Sequence, residues 1–398
     1  MRVLAVNSGS SSVKCALFEA AGSSASQELK TLCAGSVADI GNRATLRFRE
    51  GESHRSEHVE SKNHEDAVGR LLDLVGMRID AVGHRIVHGG DRFTEAVRID
   101  ADVLSRFAEL AELAPLHNPA GLAGIQRARA MLGERVPMVA VFDTAFHHGL
   151  PEYARTYALP RELTARFHIR RYGFHGLAHA SCAALYAESI GKPAGAVDLV
   201  TLHLGNGCSA AAIRGGRSID TSMGFTPLEG LVMGTRCGDI DPALVGFLAA
   251  ATGVSCGDVE SMLNKQSGLL GLSGLSSDMR TLLQATREGH RGARLAVETF
   301  CYRARKYLAA YLAAVGRAEA VVFSGGIGEH APQVRSWICS GMEWCGLILD
   351  EAANEAADKI RAGTVVRISG PGSKPAVCVA GIEEEKMIAR ETVSCLDR

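Results

Sequence analysis

Three things are scarce in this 398-residue sequence, and each scarcity removes a class of function. Neither charge is in excess: 43 Lys and Arg face 44 Asp and Glu, a formal net charge of −1. Without a basic surplus the chain has no bulk-charge route to nucleic acid or an anionic bilayer. Any anionic partner must be small and held by locally placed cations. No apolar run approaches the roughly 18 residues of a membrane-spanning helix. Only Val3, Leu4, Ala5 and Val6 stand between Arg2 and Asn7, too short a run for a signal peptide. The eleven cysteines are scattered, odd in number and never spaced C-x-x-C. That pattern fits reduced thiols better than a disulfide frame or a zinc site. The expectation is a cytoplasmic protein with neither a nucleic-acid nor a membrane partner. A composition of 46% hydrophobic and 22% charged residues supports large cores. The length suggests two or three domains of roughly 150 residues.

What is present begins with "NSGSSSVK", residues 7–14, between two apolar segments that read as strands over 2–6 and 13–19. A tight turn of small hydroxyl residues offers backbone N–H groups to an anion, and Lys14 adds a point charge. It is not a P-loop, since G-x-x-x-x-G-K-[ST] occurs nowhere. The segment "LRFREGESHRSEH" reads as an exposed hairpin. Asn63 to Val75 and Asp100 to Leu113 read as amphipathic helices with Asn63 and Asp100 as N-caps. "VPMVAVFDTAFH" is a buried strand ending at Asp143, where open α/β sheets place chemistry. From 198 to 220, "DLVTLHLGNGCSAAAIRGGRSID" repeats the opening device of apolar strand, glycine turn and return strand. A long helix over Ala293 to Val315 and the buried strand of "AVVFSGGIGEH" follow. Strands, helix, strand and helix thus occur twice, which predicts two related α/β domains with a ligand cleft between them.

Several motifs carry chemistry, each weighed against a plainer reading. "GHRIVHGGDRF" sets Arg85 before a glycine corner, suited to bidentate carboxylate or phosphate binding, against a surface arginine. "APLHNPA" holds His117 in a rigid, extended segment. "RRYGFHGLAH" spaces His175 and His179 at i, i+4, but Gly176 stands where a metalloprotease has glutamate. Anion recognition or packing is therefore favoured over zinc. "GLVMGTRCGDIDP" flanks Arg236 with glycines, either a cation reaching a transferring phosphoryl group or one arm of an Arg–Asp surface pair. "GGIGEHA" matches G-x-G-x-x-A from Gly326, and Asp350 lies 22 residues beyond Gly328, so a dinucleotide-binding oxidoreductase is an alternative. "GIEEEKM" places Glu383, Glu384 and Glu385 at an apparent helix start. Three adjacent acids are ordinarily a solvated face, yet one could hold Mg²⁺ through water.

The order of these motifs is more specific than any one of them. "VNSGSSSVK", "GHRIVHGGDRF", "APLHNPA", "VFDTAFH", "RRYGFHG", "HLGNGCS", "DTSMGFTPLEGLVMGTRCGDIDP", "SGLLGLSG", "SSDMR" and "FSGGIGE" together resemble the acetate and short-chain acyl kinase family. The resemblance spans nearly the whole chain and weakens over 20–80 and 350–375. It implies a duplicated actin-like (ribonuclease H-like) ATPase fold of α/β class. Residues 1–144 with 381–398 would form one domain, completed by the C-terminal helix. Residues 145–380 would form the other and carry the nucleotide pocket, with the active-site cleft between them. It also implies a homodimer using Mg²⁺, replaceable by Mn²⁺, to move phosphate between ATP or ADP and acetate or acetyl phosphate.

By the same resemblance Arg85, Asp143, His175 and Arg236 are catalytic, with His175 and Arg236 stabilising the transition state. The acetate methyl would face Val87, Leu116, Phe174 and Pro227, with Arg85 and His117 nearby. Lys14, His203, Leu204, Gly205, Asn206 and Gly207 would meet the nucleotide phosphates. Asp278, Met279, Arg280, Gly325, Gly326, Ile327 and Gly328 would form the adenosine pocket. Asn7 and Glu384 would serve the metal, with Asp143 positioning it through water. The chain departs from the family pattern twice: Cys15 replaces an aromatic, and "AGIEEE" stands where Thr-Asn usually precedes the paired acids. The second leaves Glu383 and Glu385 as rivals to Glu384. A propionate kinase and an actin-type nucleotide switch complete the alternatives.

Overall fold

A computed structural model describes residues 1–9, 11–21, 29–110 (side chains through 107) and 118–398. The chain forms two compact units, Met1–His148 with Glu383–Arg398, and Gly149–Ile382.

The first unit is built on eight strands: β1 (Arg2–Ser8), β2 (Ser12–Ala20), β3 (Leu29–Ala38), β4 (Ala44–Glu50), β5 (Ser53–Val59), β6 (Ala81–Ile86), β7 (Val97–Arg98) and β8 (Met138–Phe142). Their order across the sheet is β5-β4-β3-β2-β1-β6-β8-β7. Strands β1 to β5 form an antiparallel meander, whereas β1, β6 and β8 run parallel. The central strands are apolar throughout because both sheet faces are covered. Val82 joins the core cluster of Val68, Leu71 and Ile125 from the helices His64–Val75 and Asn118–Leu132. Its neighbour Gly83 points to the other face, against Ile388 and Thr392 of the C-terminal helix Glu384–Leu396. A Cβ at Gly83 would lie 2.0 Å from Thr392 Oγ1, so this helix seats only because residue 83 has no side chain.

Local rules explain the first helix. Asn63 Oδ1 accepts the Asp66 N–H at 2.9 Å, Gly76 ends the helix in the left-handed region, and Ala67, Val68, Leu71, Leu72 and Val75 make one buried face. Asp100 likewise accepts the Val103 N–H, at 2.8 Å, and caps the helix Ala101–Leu110. Residues 111–113, also expected in that helix, lie outside the described residues.

The second unit has six strands: β9 (Leu199–Leu204), β10 (Cys208–Arg214), β11 (Arg217–Thr221), β12 (Ala320–Ser324), β13 (Val365–Arg367) and β14 (Ala376–Ala380). Their order is β11-β10-β9-β12-β14-β13. Strands β9 to β11 are antiparallel, β9, β12 and β14 are parallel, and β13 is an antiparallel edge. This repeats β3-β2-β1-β6-β8-β7, so each unit holds one copy of the same design and the β4–β5 hairpin is an addition to the first. The arrangement is that of the duplicated actin-like ATPase fold. It is not an all-parallel dinucleotide-binding sheet, and Gly325–Gly328 lie inside a helix, Gly325–His330. The oxidoreductase reading therefore loses its fold.

Among the described residues no single helix is long and apolar enough to cross a membrane. Two consecutive helices, Ala243–Thr252 and Cys256–Lys265, reach that length only together and are bent by 110°.

Candidate active site

In the first unit the functional side chains gather where β1, β6 and β8 end and the C-terminal helix begins. Asn7 and Arg85 are partners in the β1–β6 register, and Asp143 follows the last residue of β8. Arg85 Nη1 donates to Asn7 Oδ1 at 2.9 Å and Nη2 to Asp143 Oδ2 at 2.6 Å. The Asn7 amide in turn donates to Glu384 Oε2 at 3.0 Å and Glu385 Oε1 at 3.1 Å. Burial works against the Arg85 cation, but Asp143, Glu384 and Glu385 outweigh it and hold its pKa above the ordinary value. Arg85 is thus no surface arginine. Glu383 has a different partner, since its carboxylate lies 3.8 Å from Lys386 Nζ.

The serine turn is described in part, and Ser10 lies outside the described residues. Gly9 N–H donates to the Ser12 carbonyl at 2.8 Å, closing the turn. Lys14 lies opposite Asn7 in the β1–β2 register and is exposed. Val87 is buried just beyond β6. Leu116 and His117 lie outside the described residues. Burial lowers the pKa of His84 to about 3 and of His88 to about 4, so both are neutral at physiological pH.

In the second unit His175 caps the helix Gly176–Ser189 from the left-handed region, φ 57°. Its Nδ1 lies 2.9 Å from Ser209 Oγ on β10, and His179 Nε2 lies 2.8 Å from the same hydroxyl. The i, i+4 pair therefore shares a serine, and no group of three His, Cys, Asp or Glu able to hold a metal occurs among the described residues. His203, on β9, stands edge-on to His175 with ring centroids 4.9 Å apart and reaches Ser324 Oγ at 3.2 Å. The Gly205–Asn206–Gly207 turn closes through Gly205 N–H to the Gly207 carbonyl at 3.0 Å. It meets the arginine loop where Gly234 N–H donates to the Asn206 carbonyl at 2.9 Å. A Cβ on Gly207 would lie 3.3 Å from His175 Nε2 and 3.4 Å from Arg236 Nη1, which places imidazole and guanidinium against one glycine.

Arg236 is the electrostatic contrast to Arg85. Its bonds are Nη1 to the Pro227 carbonyl at 3.4 Å and to Met233 Sδ at 3.7 Å. No carboxylate among the described residues pairs with it, and burial draws its pKa below the ordinary value. The Arg–Asp pair is not formed: Asp239 accepts from Tyr307 and Gly230 and pairs with Arg303, and Asp241 caps Ala243. Phe174 is buried in the same unit.

The Arg236 loop owes its shape to a segment distant in sequence. Ser267, Leu269 and Leu270 donate their N–H groups to the Thr235, Met233 and Gly234 carbonyls at 2.8–3.0 Å. Between them Gly268 has φ +59°, and a Cβ there would lie 2.2 Å from the Met233 oxygen and 2.6 Å from that of Arg236.

The expected adenosine residues do converge. A cavity of about 460 Å³ is lined by Gly205, Asn206, Asp278, Met279, Arg280, Gly326 and Ile327, together with Ser277, Leu283, His330 and Ala331. Asp278 caps its helix and holds Arg280 by two bonds, at 3.1 and 2.6 Å. The Arg280 hydrogen bond lowers the Asp278 pKa to about 2. At Gly326 a Cβ would meet only open space, so the backbone itself forms that wall. Leu204, Gly325 and Gly328 do not line it; both glycines lie against Leu204 instead. The buried Arg335, not singled out from the sequence, donates to the carbonyls of Gly328 and Glu329 and steadies this short helix.

Gly268→Ala should force the Arg236 loop to move while leaving the cavity lined by Asp278 and Gly326 in place. Displacing a catalytic group by about 1 Å costs on the order of a hundredfold in rate. The expectation is a kcat lowered by roughly that factor with a KM for ATP changed by less than about threefold. Steady-state kinetics on a variant with an unaltered circular dichroism spectrum check it, and an unchanged kcat would show that the staple does not set Arg236.

Comparison with known proteins agrees with the motifs. The Acetokinase family model matches residues 2–390. Acetate kinase of Chloroherpeton thalassium is 45% identical with 100% of both chains covered, and that of Thermotoga maritima is 44% identical over 100% of this chain and 98% of its own. Among solved structures, Porphyromonas gingivalis acetate kinase superposes with a TM-score of 0.88 at 38% identity, covering 99% of both chains. A propionate kinase from Francisella tularensis gives 0.89 at 38% identity, again over 99% of both. The chain is a member of the acetokinase family, kinases that transfer phosphate between ATP and acetate.

Proposed function

We propose that this kinase moves the γ-phosphoryl group directly and in line from ATP to the acetate carboxylate, with Arg236, His175 and Arg85 at the reacting centre. The observation that carries this is Arg236: a half-buried guanidinium, desolvated and with no carboxylate partner among the described residues, is left for an incoming anion to neutralise. Two polyanionic reactants repel one another, and a loose transfer state spreads charge over the equatorial phosphoryl oxygens. Arg236 and the His175 imidazole, held against Gly207, offset that charge. Arg85 is already oriented by Asn7 and Asp143 and orients the carboxylate or the phosphoryl group. Acetate is ionised at neutral pH, so no general base is required and Asp143 is not one. The cavity floored by Gly326 takes the adenosine, and the Gly205–Gly207 turn with His203 takes the phosphates. Val87, Phe174 and Pro227 face the acetate methyl.

A hard divalent cation would be held here mainly through water, because no three His, Cys, Asp or Glu side chains among the described residues converge to hold one by themselves. Asp143, Glu384 and Glu385 offer only carboxylate oxygens, too few for a closed cage, so Mg²⁺ or Mn²⁺ would complete its shell with water and nucleotide phosphate. When bound, that ion supplies charge for the β- and γ-phosphates. Asn7 holds the two glutamates through its amide N–H groups, and its Oδ1, which accepts one bond from Arg85, keeps a second lone pair for the metal or its water. Glu384 is the proposed metal residue.

A homodimer is also proposed. The helix Ala243–Thr252, "ALVGFLAAAT", has no buried residue, and Leu244 and Phe247 on it are 40% and 65% exposed. An apolar helix without cover in a family member of this size fits a second copy of the chain. The eleven cysteines are free, seven of them buried, which suits the reducing cytoplasm.

Four measurements test these readings. Protein with Mg·ATP and acetate should form an acyl phosphate trapped by hydroxylamine, faster than with propionate. Arg236→Ala should lower kcat by roughly a thousandfold with far less effect on the KM for ATP. Absence of the trapped product, or a variant within about threefold of wild type, removes the proposal. Glu384→Gln should raise the Mg²⁺ concentration for half-maximal rate at least about tenfold, and Glu383→Gln should leave it unchanged. The reverse order would move the metal to Glu383. Phe247→Asp should convert a dimer to a monomer in analytical ultracentrifugation, and a wild-type monomer would dismiss the helix as an interface.

A further inference from the structure

Thr201, His179, Ser209 and His175 form an unbroken chain of hydrogen bonds. Thr201 Oγ1 lies 2.7 Å from His179 Nδ1, His179 Nε2 lies 2.8 Å from Ser209 Oγ, and Ser209 Oγ lies 2.9 Å from His175 Nδ1. Thr201, His179 and Ser209 are each 0% exposed, so water does not compete for these bonds. The members come from β9, β10 and the helix Gly176–Ser189 with its cap.

A hydroxyl has one proton to donate, and a neutral imidazole has one N–H. Ser209 Oγ could accept from both rings only if its own proton went elsewhere, and its hydroxyl has no acceptor among the described residues besides the two imidazoles, so the chain runs in one direction or the other. In the first, Thr201 donates to His179 Nδ1, His179 Nε2–H donates to Ser209, and Ser209 donates to His175 Nδ1. His175 then carries its own proton on Nε2. In the second every proton is reversed, Thr201 turns to the Ala211 carbonyl at 3.5 Å, and His175 Nε2 presents a bare lone pair. The 3.5 Å contact is at the margin of hydrogen bonding, whereas 2.7 Å is a full bond, so the reversed direction gains little from its extra contact. The Nε2 edge lies against Gly207, the glycine that Arg236 also approaches. A lone pair there would repel a phosphoryl oxygen, and an imidazolium there would add charge beside a guanidinium that has no carboxylate partner. Only the first direction gives a neutral donor.

We propose that Thr201, His179 and Ser209 are positioning residues that hold His175 as its Nε2–H tautomer. His175 then meets the transferring phosphoryl group as an uncharged hydrogen-bond donor. This rests on the assignment of His175 to the reacting centre. The proton stays on Nε2 throughout; the chain orients a donor and relays nothing.

The test reads the tautomer directly. Two-bond nitrogen–proton correlation spectra of histidine-labelled protein at pH 8, with His175 assigned by its loss in H175Q, should show the Nε2–H pattern for His175. An Nδ1–H pattern in the wild type overturns the proposal. In kinetics, S209A should lower kcat by roughly tenfold to a hundredfold, less than outright loss of an anion donor, with both KM values within about threefold. T201V should shift the His175 pattern towards Nδ1–H and lower kcat by a smaller factor, and T201S, which keeps the hydroxyl, should restore both. If S209A fails to fold, the T201V and T201S pair decides, and a T201V protein with a wild-type spectrum and kcat overturns the chain. The spectra need no substrate, so they stand or fall apart from the kinase reading, which fails if the wild type makes no hydroxylamine-trappable product.

Discussion

Removing a guanidinium from water is costly, and the two units meet that cost in opposite ways. Arg85 is neutralised at once by Asp143 and, through Asn7, lies beside Glu384 and Glu385. Arg236 is half-buried, with only a carbonyl and a thioether as hydrogen-bond partners. A paired arginine is a rigid one, good for orienting a substrate but already partly spent as a charge. An unpaired arginine keeps its full field for the anion that arrives, provided the backbone is strong enough to hold it. The elements around each follow from that difference. The first needs three carboxylates from two distant parts of the chain, Asp143 and the adjacent Glu384 and Glu385, and the second needs a loop pinned from behind by residues 267–270.

The duplicated sheet supplies the frame for both solutions. Asn7 pairs with Lys14 on one side and Arg85 on the other, one step before the β1 turn. His203 occupies the matching place in the second copy, paired with Ser209 and Ser324. The same three register positions thus hold amide, ammonium and guanidinium in one unit, and imidazole with two hydroxyls in the other. The backbone geometry is common because both copies place an antiparallel hairpin beside parallel strands, so that a tight glycine turn projects from the end of the sheet. The side chains differ in charge: one copy sets paired cations and carboxylates at these positions, the other an imidazole and two hydroxyls.

Much of this was legible before any coordinates. The strands flanking both glycine turns, the Asn63 and Asp100 caps and the β4–β5 hairpin each follow from a pattern a few residues long, because they are governed by neighbours in sequence. The internal repeat was visible as a recurring device although its side chains had diverged. The family's motifs marked the arginines and the residues that line the cavity around Asp278 and Gly326. Three adjacent glutamates could not be told apart in this way. Their roles depend on the angle at which the C-terminal helix meets β1 and β6, which is set by the absent side chain of Gly83 against Thr392 and Ile388.

The sequence by itself determined the fold class, the family and the residues able to do phosphoryl chemistry, since these depend on local pattern and on the order of motifs along the chain. Only the tertiary structure decided which charges are balanced. His175 and His179 had the spacing of a metal pair, and a serine 30 residues beyond His179 gave them a common hydroxyl instead. Arg236 sat three residues before Asp239, yet Arg303 and Tyr307, from a helix far along the chain, took that aspartate. Hydrogen bonds and ion pairs are decided by distance in space, and packing two layers of helices on a sheet sets those distances.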